Sequence, residues 1–265
     1  MPAERIHSAI IDHERERAVF VSNDVVTNTL HRDLPRIAQA FDELCADQIA
    51  ELDHAAAKLF SRFAEIFTRA PLSSSDLFRT LWHLITNAAN TNMAQLALIR
   101  SGFRLQPGCL ARGVIELLCV VCHLALHPDD LQKFHEGKLP STKTLAAAKE
   151  VLPPMGLVYG QLSNTFVHIS HLHTGLNPVQ PYEANDTSLD VNMMHVKMCL
   201  WLVLVITELA FFPWLSSPQY WQSMGGGAYR YHPEPEEDAW MQRFLRGNLD
   251  AGPGETDAHE ATAES

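Results

Sequence analysis

The stretch that decides the fold is Cys109–Leu126, CLARGVIELLCVVCHLAL. Apolar residues cover almost every side of this segment, and few polar residues interrupt it. A helix that is apolar all round is buried, so we predict that this segment is the central helix of the core. In the preceding stretch, from Ile37 to Phe67, apolar residues recur at spacings of three and four, which indicates a long amphipathic helix.

Similar spacing and helix-capping signals predict helices along most of the chain. They are expected over about residues 37–67, 77–99, 109–126, 128–137, 141–153, 155–170 and 189–215. No stretch shows sustained period-two alternation rich in β-branched residues, so no sheet is expected. The predicted fold class is therefore all-α, an up-and-down helical bundle with helical extensions.

Composition predicts one bundle domain with an extension at each end. With 265 residues, 46% of them hydrophobic, the chain can bury one large core. The bundle is expected over residues 36–217, an N-terminal extension over 1–35 and a C-terminal extension over 218–265. The last stretch, AGPGETDAHEATAES, cannot form a core, so the acidic tail is expected to be disordered after about residue 248.

The charge of the chain is concentrated at its C-terminal end. The net charge is −11, and nine acidic residues lie between Glu234 and Ser265 against two arginines. The rest of the chain is only mildly acidic and carries no basic stripe. Electrostatics therefore give no support to tight binding of a nucleic-acid backbone.

Cysteine usage and the N-terminal sequence predict a cytoplasmic protein. Five cysteines, an odd number, are scattered through apolar stretches, which is typical of a reducing compartment. The N-terminus, MPAERIHSAIIDHERER, lacks the apolar core of a secretory signal. The apolar run Met198–Leu215 approaches the length of a membrane span, but Glu208 within it favours a buried core helix over a membrane anchor.

The string Cys119-Val-Val-Cys122-His123 matches the Cys-x-x-Cys-His sequence of covalent haem attachment. It lies inside an apolar run rather than at an accessible turn, and a second cysteine pair at zinc-ligand spacing is missing from the sequence. We interpret both cysteines as core residues. No cofactor and no metal are predicted from this motif.

The same helix carries a row of polar residues on one stripe. At 3.6 residues per turn the row comprises Arg112, Glu116, Cys119, His123 and His127. One interpretation is a buried ion pair that sets the register of the helix. The other is a pocket in which Glu116 and a histidine are poised by burial. The spacing alone leaves both interpretations open.

A second set of polar residues follows on the segment predicted over 155–170. It comprises Tyr159, Ser163, Asn164, His168, His171 and His173. On a continuous helix Asn164 and His168 would be neighbours at i and i+4. The three histidines could bind a transition metal if they converged, but no carboxylate lies at a clear spacing from them. Exposed or helix-capping histidines are the simpler interpretation of His171 and His173.

Two patches resemble a bacterial helical domain family of unknown function. That family carries an Arg-x-x-x-Glu helix followed by a Tyr-x-x-Leu-Ser-x-x-x-x-His helix. Here LARGVIELL supplies Arg112 and Glu116, and YGQLSNTFVH supplies Tyr159, Ser163 and His168. The resemblance covers about a third of the chain, and its motifs are short.

The second patch is also similar to the HEPN superfamily, four- or five-helix bundles that often dimerise and include metal-independent ribonucleases. Their active signature is arginine, a polar residue, three further residues and histidine. Ser163 stands here at the arginine position, while Asn164 and His168 match the polar residue and the histidine. The resemblance implies a homodimer and RNA as a possible ligand, with Arg112 as a candidate replacement for the missing cation.

From these observations we expect a non-catalytic module that binds a small molecule or a partner protein. The alternative is a degenerate HEPN-type ribonuclease of a toxin or defence system, with His168 as acid or base and a cation on the scissile phosphate. A second alternative is a metal-dependent hydrolase built on the histidines. The candidate site residues are Arg112, Glu116, Tyr159, Ser163, Asn164 and His168.

Overall fold

The chain folds into a bundle of helices with a small hairpin near each end. The structure is a computed structural model, and it describes residues 6–70, 75–175 and 177–246. The helices are α1 (Val25–Asn28), α2 (Leu34–Leu44), α3 (Ala46–Arg69), α4 (Asp76–Arg100), α5 (Gln106–Leu126), α6 (Leu131–His135), α7 (Ser141–Val151), α8 (Pro154–Leu162), α9 (Thr187–Ala210) and α10 (Pro235–Arg246). The prediction of an all-α bundle is confirmed.

Helices α5 and α9 form the centre of the bundle. Almost every residue of α9 from Cys199 to Ala210 is buried, and α5 buries most of the residues between Ala111 and Leu124. Helices α3, α4 and α5 pack against α9, while α4 and α7 pack against α5. The predicted central helix is thus correct, and α9 is its even more deeply buried neighbour.

By length and composition alone, α5 and α9 would both be able to cross a membrane. In the most apolar window of α9, 89% of the residues are buried inside the protein, against 50% for α5. Helix α9 therefore has the surroundings of a core helix. The cytoplasmic location stays a prediction.

The single long helix predicted over 37–67 is wrong, because the structure has two helices there, α2 and α3, separated at Cys45. Two other predicted helices end earlier than expected. The segment predicted over 155–170 is the α-helix α8 only to Leu162, and a π-helical turn, Ser163–Val167, follows it. The segment predicted to reach residue 215 ends at Ala210, and a 3-10 turn over Phe212–Trp214 contains Pro213. Proline cannot continue an α-helix, which explains the second end.

The expectation that the chain has no sheet is wrong. Strands β1 (Ile6–Asp12) and β2 (Arg17–Ser22) form one antiparallel hairpin, and β3 (Trp221–Gly225) and β4 (Ala228–Tyr231) form another. The second turn uses Gly225–Gly227, all three with positive φ, which glycine adopts without strain. Both hairpins are short, so neither builds the sustained pattern by which strands are recognised.

The C-terminal hairpin and helix pack on the bundle. Glu237 of α10 accepts from Lys58 Nζ of α3 at 2.5 Å and from the Tyr220 hydroxyl at 2.6 Å. The Lys58 ammonium also lies 4.5 Å from the Trp240 ring centroid. These contacts fix residues up to Arg246 against α3. The disorder expected after about residue 248 lies outside the described residues, and the domain boundaries stay predictions.

The carboxylate in the middle of the core has specific partners. Glu208 of α9 is fully buried, and its Oε1 lies 2.9 Å from Arg62 Nε of α3. Its Oε2 accepts from the backbone N–H groups of Gln219 and Tyr220. Burial raises the pKa of Glu208, while Arg62 and the two N–H groups act against that rise. The acid thus ties α9 to α3 and to the start of the C-terminal hairpin.

Removing the cation from this pair should destabilise the protein strongly. Arg62→Met leaves a buried carboxylate without its counter-charge, which costs about 3–5 kcal/mol. We expect a fall in the unfolding midpoint of about 10 °C, measured by circular dichroism. The control is Arg100→Met, because the Arg100–Asp42 pair is about half exposed and should contribute less than about 1 kcal/mol. Equal losses in the two variants would contradict this account.

Candidate functional site

Four of the six predicted site residues form one cluster around Arg112. Arg112 Nε donates to Ser163 Oγ at 2.6 Å, and Arg112 Nη1 lies 3.0 Å from Glu116 Oε2, an ion pair without hydrogen-bond alignment. The guanidinium carbon lies 3.5 Å from the centroid of the Tyr159 ring. Ser163 Oγ donates in turn to the Tyr159 carbonyl at 2.7 Å. The cluster joins α5 to α8.

The π-helical turn after α8 and a glycine on α5 position this cluster. In the turn, Ser163 keeps its hydroxyl on the carbonyl four residues back and still accepts from Arg112. Three residues later in the turn, Phe166 lies directly over Gly108, where an added Cβ would be 2.2 Å from the ring. The Cys109 thiol also donates to the Phe166 carbonyl at 3.2 Å. A small residue at position 108 therefore lets the two segments meet.

Asn164 and His168 do not join the cluster. Both are exposed, and their side chains make no hydrogen bond or ion pair with any residue that the structure describes. The His168 backbone N–H bonds to the Ser163 carbonyl and closes the π turn, while its imidazole stays outside. Arg112 directs its contacts to Ser163 and Glu116 rather than to this histidine.

The other end of the polar row forms a separate network. His123 is buried, and its Nε2 lies 2.8 Å from Asp130 Oδ2. Lys133 and Lys143 reach the same carboxylate at 2.6 and 2.5 Å. These partners hold the pKa of Asp130 well below its usual range, while burial lowers the pKa of His123. Sequence reasoning missed Asp130 and the two lysines, although Pro128 before two aspartates marked a helix start there.

The two cysteines between these networks are core residues, as expected. Cys119 and Cys122 are buried, and burial raises the pKa of Cys119 to about 12. Both thiols are therefore neutral near pH 7. Among the histidines, His173 Nδ1 accepts from the backbone N–H of Ser170, so His173 caps a 3-10 turn. Within the described residues, no three His, Cys, Asp or Glu side chains converge as metal ligands would.

A second candidate site is the groove between α3 and α4. Both helices pack on α9, and between them lies a cavity of about 540 Å³. Its lining consists of Phe60, Phe63, Ala64, Phe67, Thr68, Trp82, Thr86, Ala89 and Asn90. Two of its phenylalanines, Phe60 and Phe67, are 60% and 76% exposed. We call this surface the α3–α4 groove.

The outer face of α4 beside the groove has no charged residue. From Thr80 to Ile99 the sequence has no Asp, Glu, Lys or Arg. The exposed residues of that stretch are His83, Asn87, Asn90, Met93, Ala94 and Ala97. Solvent-facing helix surfaces are normally charged or strongly polar, and loss of charge marks the core of protein interfaces. The sequence analysis did not identify this surface, although the absence of charged residues between Thr80 and Ile99 is visible in the sequence.

Compared with protein-family models, with curated proteins and with solved structures, the chain matches none. The resemblances to the helical family of unknown function and to HEPN bundles therefore rest on their short motifs alone.

The contact between α5 and the π-helical turn can be tested with two glycines of the same helix. Gly108→Ala should force Phe166 aside and lower the free energy of unfolding by about 1–3 kcal/mol. The amide of His168, which closes the turn, should also exchange hydrogen faster. Gly113→Ala is the control, because nothing lies within 4 Å of its added Cβ. That variant should be neutral or up to about 1 kcal/mol more stable. Identical exchange at His168 in both variants would contradict the proposed contact.

Proposed function

We propose that this chain is a non-catalytic binding module whose partner is an uncharged, apolar segment of a protein lying on the α3–α4 groove. The observation that carries the proposal is the pairing of an aromatic groove with a charge-free helix face. Phe60 and Phe67 stand exposed at this groove, and Met93 on α4 is 60% exposed. Large exposed apolar patches on soluble proteins mark sites of interaction.

The energetics of the groove favour a protein partner. Burying an exposed Phe or Met side chain contributes roughly 1.5–3 kcal/mol, so three such residues supply a substantial part of a binding free energy. Because the outer face of α4 carries no charge between Thr80 and Ile99, covering it avoids the cost of desolvating unpaired ions. Phenylalanine and methionine are enriched at the cores of protein interfaces, and charged residues are depleted there.

The Arg112 cluster supports a structural role rather than catalysis. A ribonuclease would need a cation free to hold a phosphate and a histidine beside it. The Arg112 side chain is only 14% exposed, is stacked on Tyr159 and already faces the carboxylate of Glu116. His168 shares no contact with it. The cluster is suited to fastening α8 to α5.

A cytoplasmic location is part of the proposal. All five cysteines, each within the described residues, are free thiols, and four of them are buried. Unpaired thiols are typical of a reducing compartment.

The non-catalytic assignment can be tested with RNA. Purified protein should leave single-stranded and hairpin RNA intact, with and without EDTA, and His168→Ala should behave like the wild type. Cleavage that His168→Ala abolishes but EDTA spares would establish the ribonuclease instead. Cleavage that EDTA abolishes would favour a metal-dependent hydrolase.

The groove can be tested by site-specific photo-cross-linking in the cells that produce the protein. Benzoylphenylalanine at position 67 should give one discrete cross-linked product, and Phe60→Glu should remove that product because it places a charge in the groove. Leu157 on α8 is the matched control, because it is 75% exposed but lies outside the groove. No product from position 67, or the same product from position 157, would contradict the proposal.

A further inference from the structure

The N-terminal residues form an arm with unusual apolar exposure. The arm consists of residues 6–33, which include the β1–β2 hairpin, α1 and the π-helical turn Thr29–Asp33. Its large exposed apolar residues are Ile10, Ile11, Val19, Phe20, Val25, Val26 and Leu30. No residue between Ile6 and Asp33 is buried. The arm therefore presents apolar surface that remains exposed in the part of the chain that the structure describes.

Both faces of the hairpin are apolar. Ile10 pairs with Val19 on one face, while on the other face Ala9 pairs with Phe20 and Ile11 with Ala18. Hairpins with one solvated face usually alternate apolar and polar residues, and this one does not. An isolated two-stranded hairpin is at best marginally stable in water, so a covering surface would stabilise it.

The arm also extends away from the bundle. Residues Val25–Leu44 are helical without a break, through α1, the π-helical turn and α2. The first buried residue in this run is Ile37. At 1.5 Å of rise per residue, Val25 lies about 18 Å along the helix from Ile37. The hairpin therefore precedes a helical segment, Val25–Arg36, that has no buried residue.

The arm and the α3–α4 groove have matching chemistry. Within the two strands, Ile6–Ile11 and Ala18–Ser22 contain no Asp, Glu, Lys or Arg, as is also true of the α4 face. The charged residues at the turn end of the strands, Asp12 and Arg17, form an ion pair with each other. Neither surface would therefore have to bury an unpaired charge on contact with the other. Phe60 and Phe67 project from the groove as Phe20 projects from the hairpin.

The available area is sufficient for a stable pair. A groove can cover only one face of the hairpin, so Ile10 and Val19 are not counted. The other five exposed arm residues and Phe60, Phe67 and Met93 each expose roughly 100 Å² of apolar surface, or about 800 Å² in one copy. Two copies related by a twofold axis would bury about twice that area. Stable protein interfaces bury roughly 1,200–2,000 Å² in total.

We propose that two copies of this chain exchange their N-terminal arms, so that the arm of each copy lies on the α3–α4 groove of the other. The inference rests on the proposed function, because it names the partner that occupies the groove. The contact occurs twice in a closed, symmetric pair, as a twofold axis requires. Each arm gains the cover that its own bundle does not provide.

Light scattering and sedimentation of the full chain test the exchange. We expect a particle of twice the 29.6 kDa chain mass. Phe20→Glu in the arm and Phe67→Glu in the groove should each weaken dimerisation about a hundredfold, because each puts a charge into both copies of the contact. Leu157→Glu, at an equally exposed site on α8, should leave the dimer unchanged. Unchanged circular dichroism spectra would establish that the variants are folded.

Mixing the two monomeric variants separates arm exchange from other dimers. The intact arm of Phe67→Glu can still lie on the intact groove of Phe20→Glu, so a mixture should form a heterodimer although neither variant forms a homodimer. A dimer joined arm to arm or groove to groove would give no such rescue, and that result would overturn the proposal.

The cross-linking experiment distinguishes failure of the exchange from failure of the proposed function. A product at position 67 of twice the chain mass, joined to residues 6–33, supports both. A monomer in sedimentation, with a product of another mass that Phe60→Glu removes, overturns the exchange and leaves the proposed function standing. A monomer with no product at position 67 overturns both.

Discussion

Helix α9 is buried on every side from Cys199 to Ala210, and the rest of the structure depends on keeping this stretch out of water. A helix with a single apolar stripe needs one neighbour, whereas this one has to be surrounded. Helices α3, α4 and α5 provide the cover, and α10 reaches back to complete it. Helices α3 and α4 are therefore placed by their contacts with α9 more than by contacts with each other. The groove between them is a result of that arrangement.

The few polar groups on α9 are tolerated because each has a particular environment. Glu208 has Arg62 and two backbone N–H groups, and Lys197 pairs with Glu51 of α3. His195 has no charged partner; its ring packs edge-on against Phe166, and burial lowers its pKa to about 4, so it is neutral near pH 7. The buried charges Glu208 and Lys197 of α9 thus each lie where α3 supplies the opposite charge, and this pairing also sets how the two helices align.

The helical bundle could be predicted from sequence because it follows from local periodicity. The same periodicity predicted the Arg112–Glu116 pair, which depends only on i,i+4 spacing. The prediction from periodicity failed beyond Leu162, because a continued α-helix would place Asn164 and His168 on one face. The π-helical turn changes the helical register there, and both side chains lie outside the Arg112 cluster. The two hairpins were missed because their strands are short, and β1 and β2 also carry apolar residues on both faces. Contacts between distant segments, such as Lys58 with Glu237, leave no periodic pattern in the sequence.

The π-helical turn at Thr29–Asp33 has a geometric consequence for the arm. Such a turn holds one residue more than an α-helical turn, and each residue rotates a helix by about 100°. The hairpin therefore points in a direction about a quarter-turn away from the one that a regular helix would give it. The number of residues in this turn therefore fixes the direction of the hairpin relative to the bundle. Inserting or deleting a single residue there would rotate the hairpin about the helix axis, while the hairpin and the bundle would keep their own sequences.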